Sequence, residues 1–298
     1  MIELTVCLPL FRARRIGWLP LEGLVRQRGI TFDWELVIAE ETDDPETFGW
    51  ERIAPYEPGL KAAGCRRIEY IPLSQWIPLG TKIGRMARQA DPRSRIGVEN
   101  SADYYPAPER LARHRAAFQA EDIDQHLPTK AIHYSIGEDR AILFNSAYSL
   151  RKDAVVGRAT RMDLLRQLPE HGPRQGCDGW MWRQFHEIRR REGRRFAARR
   201  DRSDTWMFAL STVGFNNLSP TTLPVPRRFH WSLTPYPLAE IRARIPPEIL
   251  ARLAESRMHL AEHRHLGHAS VEPRHFAAKI RDRWRRGLSG RSRPDGGP

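Results

Sequence analysis

Three short stretches concentrate acids or amides in a chain that is basic overall. The 298 residues carry 49 Lys and Arg against 36 Asp and Glu, a net charge of +13. Yet "WELVIAEETDD" closes on Glu40, Glu41, Asp43 and Asp44, "GVENSADYYPAPERL" carries Asn100 and Asp103, and "CDGWMWRQF" opens on Asp178. An ionised carboxylate accepts two O–H donors at once. It also supplies a hard oxygen ligand to Mg2+ or Mn2+, or takes a proton from an attacking hydroxyl as a general base. Each acid has a plainer role open to it: a solvated turn for Glu40 to Asp44, a turn cap for Asp103, a helix N-cap for Asp178.

The elements around these stretches predict where they stand. "IELTVCLPLF" is a short apolar run ended by proline, a buried strand. "GWLPLEGLVRQRG" sets Leu21, Leu24 and Val25 at helical spacing with Gly29 as stop, and "FDWELVIAEETDD" is a second strand. Strand, helix, strand in so few residues begins a parallel sheet with a right-handed crossover. "RRIEYIPL" reads as a third strand, "TKIGRMARQA" as a helix with Ile83, Met86 and Ala87 inward, "RIGVEN" as a fourth strand, and "APERLARHRAAFQA" as a helix. In such sheets ligands bind at the carboxyl ends of the strands, where "PLFRAR", "EETDD" and "ENSADYY" fall.

From Lys130 the alternation loosens. "AIHYSIG" and "RAILFNSAYSLRK" read as strands, "AVVGRATRMDLLRQLPEHG" as a helix, and "CDGWMWRQFHEIRRREG" as a helix with Asp178 at its N-cap and Met181, Phe185 and Ile188 on one face. "TWMFALST" reads as a late strand and "IPPEILARLAESRMHLAEHRH" as a C-terminal helix entered through proline.

Several classes are excluded. "LFRARRIG" after the first strand lacks both the dinucleotide and the Walker glycine patterns, and no G-x-S-x-G elbow occurs. Cys7, Cys65 and Cys177 are too few and too scattered for a disulfide framework or a cysteine zinc site, which fits a reducing cytoplasm. No signal-peptide pattern and no apolar run of about 18 residues is present. The positive charge gathers in Arg189 to Arg202 and Arg274 to Pro298. Those blocks suit nucleic acid, anionic lipid or a nucleotide diphosphate, or are solvated helix faces.

In their order and spacing, "VCLPLFRA", "WELVIAEETDD", "KIGRMARQA", "GVENSADYYPAPERL" and "CDGWMWRQF" resemble a family 2 glycosyltransferase of the GT-A fold, over roughly residues 2 to 219. The resemblance implies an α/β fold with a mixed, mostly parallel sheet flanked by helices and a helical C-terminal extension. It divides the chain into a transferase domain at 1–235, the extension at 236–285 and a basic, disordered tail at 286–298. It implies that Pro9 and Phe11 flank a nucleobase, that Glu40, Glu41 and Asp43 take the base or ribose, and that Lys82 or Arg85 faces the diphosphate. Asn100 and Asp103 fall in the metal motif, with Asp103 the ligand to Mn2+ or Mg2+, and Asp178 becomes the base of an inverting transfer. Trp180 and Trp182 are candidates for stacking on an acceptor sugar, or for core packing.

Two departures stand beside this. Asn100 and Ala102 occupy positions where the family commonly has acids, and Gly214 or Phe215 falls where a metal-binding histidine often stands, leaving His230 as a substitute. The function implied is sugar transfer from a nucleotide-diphosphate donor to a hydroxyl of a glycan, lipid-linked or protein acceptor. The alternative is a noncatalytic module of the same fold that binds glycan or nucleic acid, although the acidic loops argue against nucleic acid in the main cleft. The expected location is cytoplasmic, with the basic C-terminal segment touching the anionic inner membrane face.

Overall fold

A computed structural model describes residues 1–135, 140–145, 157–173, 177–202, 209–213 and 233–262 of the protein. Its main sheet has seven strands in the order β10 (Ala198–Asp201), β6 (Gln125–Pro128), β9 (Ala159–Arg161), β4 (Ile96–Glu99), β1 (Ile2–Leu10), β2 (Asp33–Glu41) and β3 (Cys65–Leu73). Only β9 runs antiparallel to its neighbours. A second sheet is ordered β12 (Leu233–Pro235), β8 (Arg140–Asn145), β7 (Lys130–Ser135), β11 (Ala209–Val213) and β5 (Tyr104–Pro106).

Helices cover both faces of the main sheet, and strand alternation assigns the residues to each. Leu4, Val6, Leu8 and Leu10 of β1 and Leu36 and Ile38 of β2 belong to one core, which α1 (Trp18–Leu24), α2 (Trp50–Ile53), α3 (Glu57–Ala62) and α5 (Arg110–Ala120) complete. Cys7, Val37 and Ala39 face the other way, against α4 (Leu79–Gln89), α6 (Met162–Arg166) and α7 (Cys177–Arg191). Gly97 of β4 lets that second layer close in, since a Cβ there would stand 2.3 Å from Leu165 Cδ1 and 2.7 Å from Met162 Sδ. Beyond α8 (Leu238–Arg244) the chain ends its described part in α9 (Pro247–Glu262), and Ile241, Ile249 and Leu253 of these two helices, with Ile245 between them, join the first core.

The central strands set the functional geometry. From β1 the chain moves outward to β2 and β3 on one side, then returns to place β4 on the other. The carboxyl ends of β1 and β4 therefore form a topological switch point, where open α/β sheets form a ligand crevice. The β1–β4 ladder stops at Cys7 and Glu99, and Asn100 N closes it onto Cys7 O at 2.9 Å. Pro9 comes two residues later, paired on the β2 side with Ala39, so its missing N–H interrupts no ladder toward β4.

Two parts of the chain differ from the sequence expectation, and a third, between β2 and β3, holds elements that the sequence reading did not assign. The Pro- and Gly-rich stretch after β2 contains α2, a single 3-10 turn at Ala54–Tyr56 and α3, because Pro55 and Pro58 sit in first turns, where proline is tolerated. "AVVGRATRMDLLRQLPEHG", expected as one helix, yields the three-residue strand β9 before the short α6; pairing on both sides with β4 and β6 overrides local preference. Asp178 is the second residue of α7, not its cap.

Candidate functional site

Glu40 and Glu41 end β2 and, being consecutive, point to opposite faces. Glu40 is fully buried on the α1 side, where its Oε1 accepts from Phe48 N (2.7 Å) and its Oε2 from Gly49 N (3.0 Å) and Tyr70 Oη (3.1 Å). Burial nonetheless raises its pKa above the usual carboxylate range, with those donors opposing. Glu41 turns to the α4 side, where its Oε2 lies 2.5 Å from Lys82 Nζ. Lys82 also donates to Leu10 O at 2.8 Å. Burial lowers the Lys82 pKa, and Glu41 pulls the other way. Glu40 and Glu41, expected at the base or ribose, are both buried and already bonded, one to the following loop and one to α4. Asp43, in that loop, is exposed.

The loop after β1 supplies the other lip of the crevice. Phe11 is partly exposed, with Lys82 Nζ 6.0 Å from its ring centroid on one side and Arg12 at 5.4 Å. Arg12 has a φ of 49°, rare for a residue with a Cβ, and its Nε donates to Asp44 Oδ2 at 2.7 Å, which ties the β1 and β2 loops together. Pro9 is buried in the strand beneath Phe11, and Arg85 lies one helical turn from Lys82, 4.0 Å from Glu170.

At the end of β4 the sequence-singled residues divide by face. Glu99 faces α7, where its Oε1 accepts from Arg158 Nε at 2.6 Å, and Arg158 Nη2 reaches Asp178 Oδ1 at 2.8 Å. Arg158 is 3% exposed and Asp178 49%, so a buried guanidinium holds one oxygen of a carboxylate that otherwise faces solvent. Burial would lower the Arg158 pKa, but the two carboxylates prevail and raise it. Asn100 faces α5 instead. Its Oδ1 accepts from Arg110 Nη1 at 3.0 Å, while its buried Nδ2 has no hydrogen-bond partner among the described residues. Burial lowers the pKa of Arg110 to about 10.

Asp103 is buried in the turn that carries the chain from the main sheet into β5 of the second. Burial raises the pKa of neighbouring Tyr104 well above the usual phenol value, and the charges of Asp103 and Asp178 add to it. Trp180 and Trp182 are partly buried against the second core: a Cβ on Gly80 would stand 2.6 Å from a ring carbon of Trp180, and Trp182 meets Phe196 edge-on at 4.9 Å. Gly214, Phe215 and His230 lie outside the described residues.

These donors do not by themselves fit a divalent cation. Mg2+ and Mn2+ take several hard oxygens, whereas Asn100 Oδ1 is already bonded to a guanidinium. Among the described residues no group of three His, Cys, Asp or Glu side chains could hold a metal. In the arginine block at 189–202 Arg189 is buried against Asp124, Asp163 and Glu192, while Arg190 and Arg199 are exposed and make surface pairs with Glu187 and Glu121. The block at 274–298 lies outside the described residues, and among those described no helix is long and apolar enough to cross a membrane.

No protein-family model and no curated protein matches the sequence. Solved structures do match. S. aureus TarS 1–349 in complex with UDP-GlcNAc aligns with a TM-score of 0.52 at 15% identity, covering 72% of this chain and 60% of that one. The same protein in complex with UDP gives 0.51 at 14% identity, covering 71% and 61%. The fold is that of a GT-A glycosyltransferase. The chain spans about 60% of the length of those TarS structures. A mannosyltransferase from Pyrobaculum calidifontis in complex with GDP-Man and Mn2+ aligns over 96% of this chain and 83% of its own, at 14% identity and a TM-score of 0.48, too loosely to place residues. In this GT-A fold Phe11, Asp43, Arg85 and Asp178 are sequence-singled groups that reach solvent, while Lys82, Asn100 and Asp103 stand behind them. Arg158, Glu99, Arg110 and Arg12 were not marked by sequence reasoning. No local pattern signals a long-range ion pair or a strained φ.

Proposed function

We propose that the protein transfers a sugar from a nucleotide-diphosphate donor to a hydroxyl acceptor, with Asp178 as the general base. The observation that carries this reading is the Glu99–Arg158–Asp178 chain at the carboxyl end of β4, beside the β1–β4 switch point. Arg158 fixes Asp178 Oδ1, and Oδ2 has no hydrogen-bond partner among the described residues, so a free lone pair is held in place for an attacking O–H. The partly exposed Phe11 offers a ring face for the nucleobase, and the exposed Asp43 offers a carboxylate for ribose hydroxyls. Arg12 sets a cation at the same lip, suited to the leaving diphosphate. The likeness to TarS bound to UDP and UDP-GlcNAc supports the donor class. Inversion at the anomeric carbon is part of the proposal, since a base with no covalent intermediate inverts in one step.

The test is release of nucleoside diphosphate from a panel of UDP-, GDP-, TDP- and CDP-sugars, with and without Mn2+. Binding of none of them overturns the reading. One observation favours the second reading, a noncatalytic binding module: Asp103 has no acid two residues before it. That reading requires Asp103→Ala and Asp178→Asn to leave the protein's activity in cells unchanged.

A further inference from the structure

On the sheet face opposite Asp178, a pocket of about 520 Å3 opens between the loops that follow β1 and β2 and helix α9. Arg14, Arg15, Arg52 and Arg252 line it, with only two glutamates among the lining residues. Arg15, Arg52 and Arg252 each have an acid beside them, Glu46 at 3.9 Å, Glu51 at 2.6 Å and Glu22 at 3.5 Å, so what the pocket offers an anion is directed N–H groups more than net charge. Trp18 and Phe48 are almost wholly buried beneath the pocket, and the Arg252 guanidinium lies over the Trp18 ring, 4.1 Å from its centroid.

Two of the guanidiniums are held by main-chain carbonyls. Arg14 Nη1 donates to Pro45 O at 3.2 Å, and Arg52 Nη1 donates to Phe48 O at 2.8 Å and to Glu51 Oε1 at 2.6 Å. Arg15 comes no closer than 3.9 Å to Glu46. A guanidinium has five N–H donors, so the remaining donors of Arg14, Arg15 and Arg52 have no partner among the described residues. Anchored, fork-shaped donors above buried aromatic rings match a tetrahedral anion attached to a ring, because the fork takes two anion oxygens at once and prior ordering lowers the entropic cost of binding.

We infer that this pocket is a binding site for a phosphate group carried on a sugar or a nucleoside. It lies on the α1–α9 side of β2, whereas Asp178 and Lys82 lie on the α4–α7 side, so the inference stands apart from the transfer reaction. The shared chemistry is a phosphate ester, and the probes separate the two sources.

Calorimetric titration of the full chain at low ionic strength, with inorganic phosphate, glucose 6-phosphate and uridine monophosphate, tests it. At least one ester should bind saturably and more tightly than inorganic phosphate, with a change in tryptophan fluorescence. The tighter ester identifies the carrier. Combining Arg14→Ala with Arg52→Ala should weaken binding about tenfold or more, as expected for lost charge-assisted bonds. Arg242→Ala, an exposed arginine elsewhere, should leave it unchanged. The charge-preserving pair Arg14→Lys and Arg52→Lys keeps the net charge, and should still weaken binding because the fork is gone. Absence of saturable binding by both esters overturns the inference, as does equal weakening by Arg242→Ala. Weakening by Phe11→Ala but not by the pocket substitutions would move the binding to the crevice and overturn it too.

Discussion

Arg158 Nη2 stands 2.8 Å from Asp178 Oδ1, with the arginine buried and the aspartate half open to solvent. One partner of this pair is fixed by the fold, and the other is free to meet a substrate. We predict that Asp178→Asn keeps the side chain's shape and the protein's melting temperature close to wild type. It should lower turnover by about a hundredfold to ten-thousandfold, the range of a lost general base. Nucleoside diphosphate release and a thermal melt, run on the same preparation, check both halves. Unchanged turnover would remove Asp178 from the chemistry.

Arg158→Ala has a different signature. It strands Glu99 in a buried place without its cation, and breaking a buried pair from one side costs about 3–5 kcal/mol. Urea unfolding should show that loss even with no substrate present, while Asp178→Asn should not.

Lys82 and Glu41 form a buried pair whose exposures are 4% and 2%. Lys82→Met alone is expected to destabilise by about 3–5 kcal/mol, because Glu41 is left charged in the interior. Joining it with Glu41→Leu should recover most of that loss, since an apolar pair of similar volume often matches a buried ion pair. A double-mutant cycle from denaturant midpoints measures it, and simple additivity would show that the pair is not coupled.

Acid sensitivity should come from two buried histidines. His114 Nδ1 lies 3.0 Å from His126 Nδ1, and His114 Nε2 lies 3.1 Å from Gly157 O, so the neutral chain has His126 donating to His114 and His114 donating to the carbonyl. Burial lowers the His126 pKa to about 4, with Asp201 opposing and Arg199 and Arg113 adding to the fall. Burial lowers His114 further still, helped by His126 and Arg110. Both pKa values sit below the unfolded value near 6.5, so the unfolded chain binds more protons in acid. Stability is therefore full above about pH 6.5 and falls as pH drops toward about 4, by about 3 kcal/mol for His126 alone. Unfolding midpoints from pH 7 to pH 4 test this, and a flat profile would contradict it.

Gly80 lets α4 and α7 touch. An added Cβ would stand 2.6 Å from Trp180 and 3.1 Å from Cys177 Sγ, next to Asp178. Gly80→Ala should destabilise by about 1–3 kcal/mol, as overpacking does, and should also lower turnover by displacing the start of α7. A loss of stability with turnover intact would detach that helix start from catalysis.

The parallel order of β1 to β4 was legible because β1, β2 and β4 are apolar runs closed by turn residues, β3 carries Ile68, Tyr70 and Ile71, and helices fall between them. β9 was not legible: three residues become a central strand only because β4 and β6 exist to pair with them. For the site, sequence located the loops but not the direction of their side chains. Glu40 and Glu41 looked alike in sequence, yet the strand's two-residue period sends them to different faces and different partners. Arg158 could not be marked, because nothing near it in sequence announces Glu99 or Asp178.

Two adjacent residues at the tip of β2 reach both sites. Glu40 holds the backbone of Gly49 and of Phe48, whose ring lies beneath the arginine-lined pocket, while Glu41 holds Lys82 and with it the start of α4. Thermodynamic reciprocity then sets the form of any cross-talk: the factor by which a phosphate ester alters donor affinity equals the factor by which donor alters ester affinity.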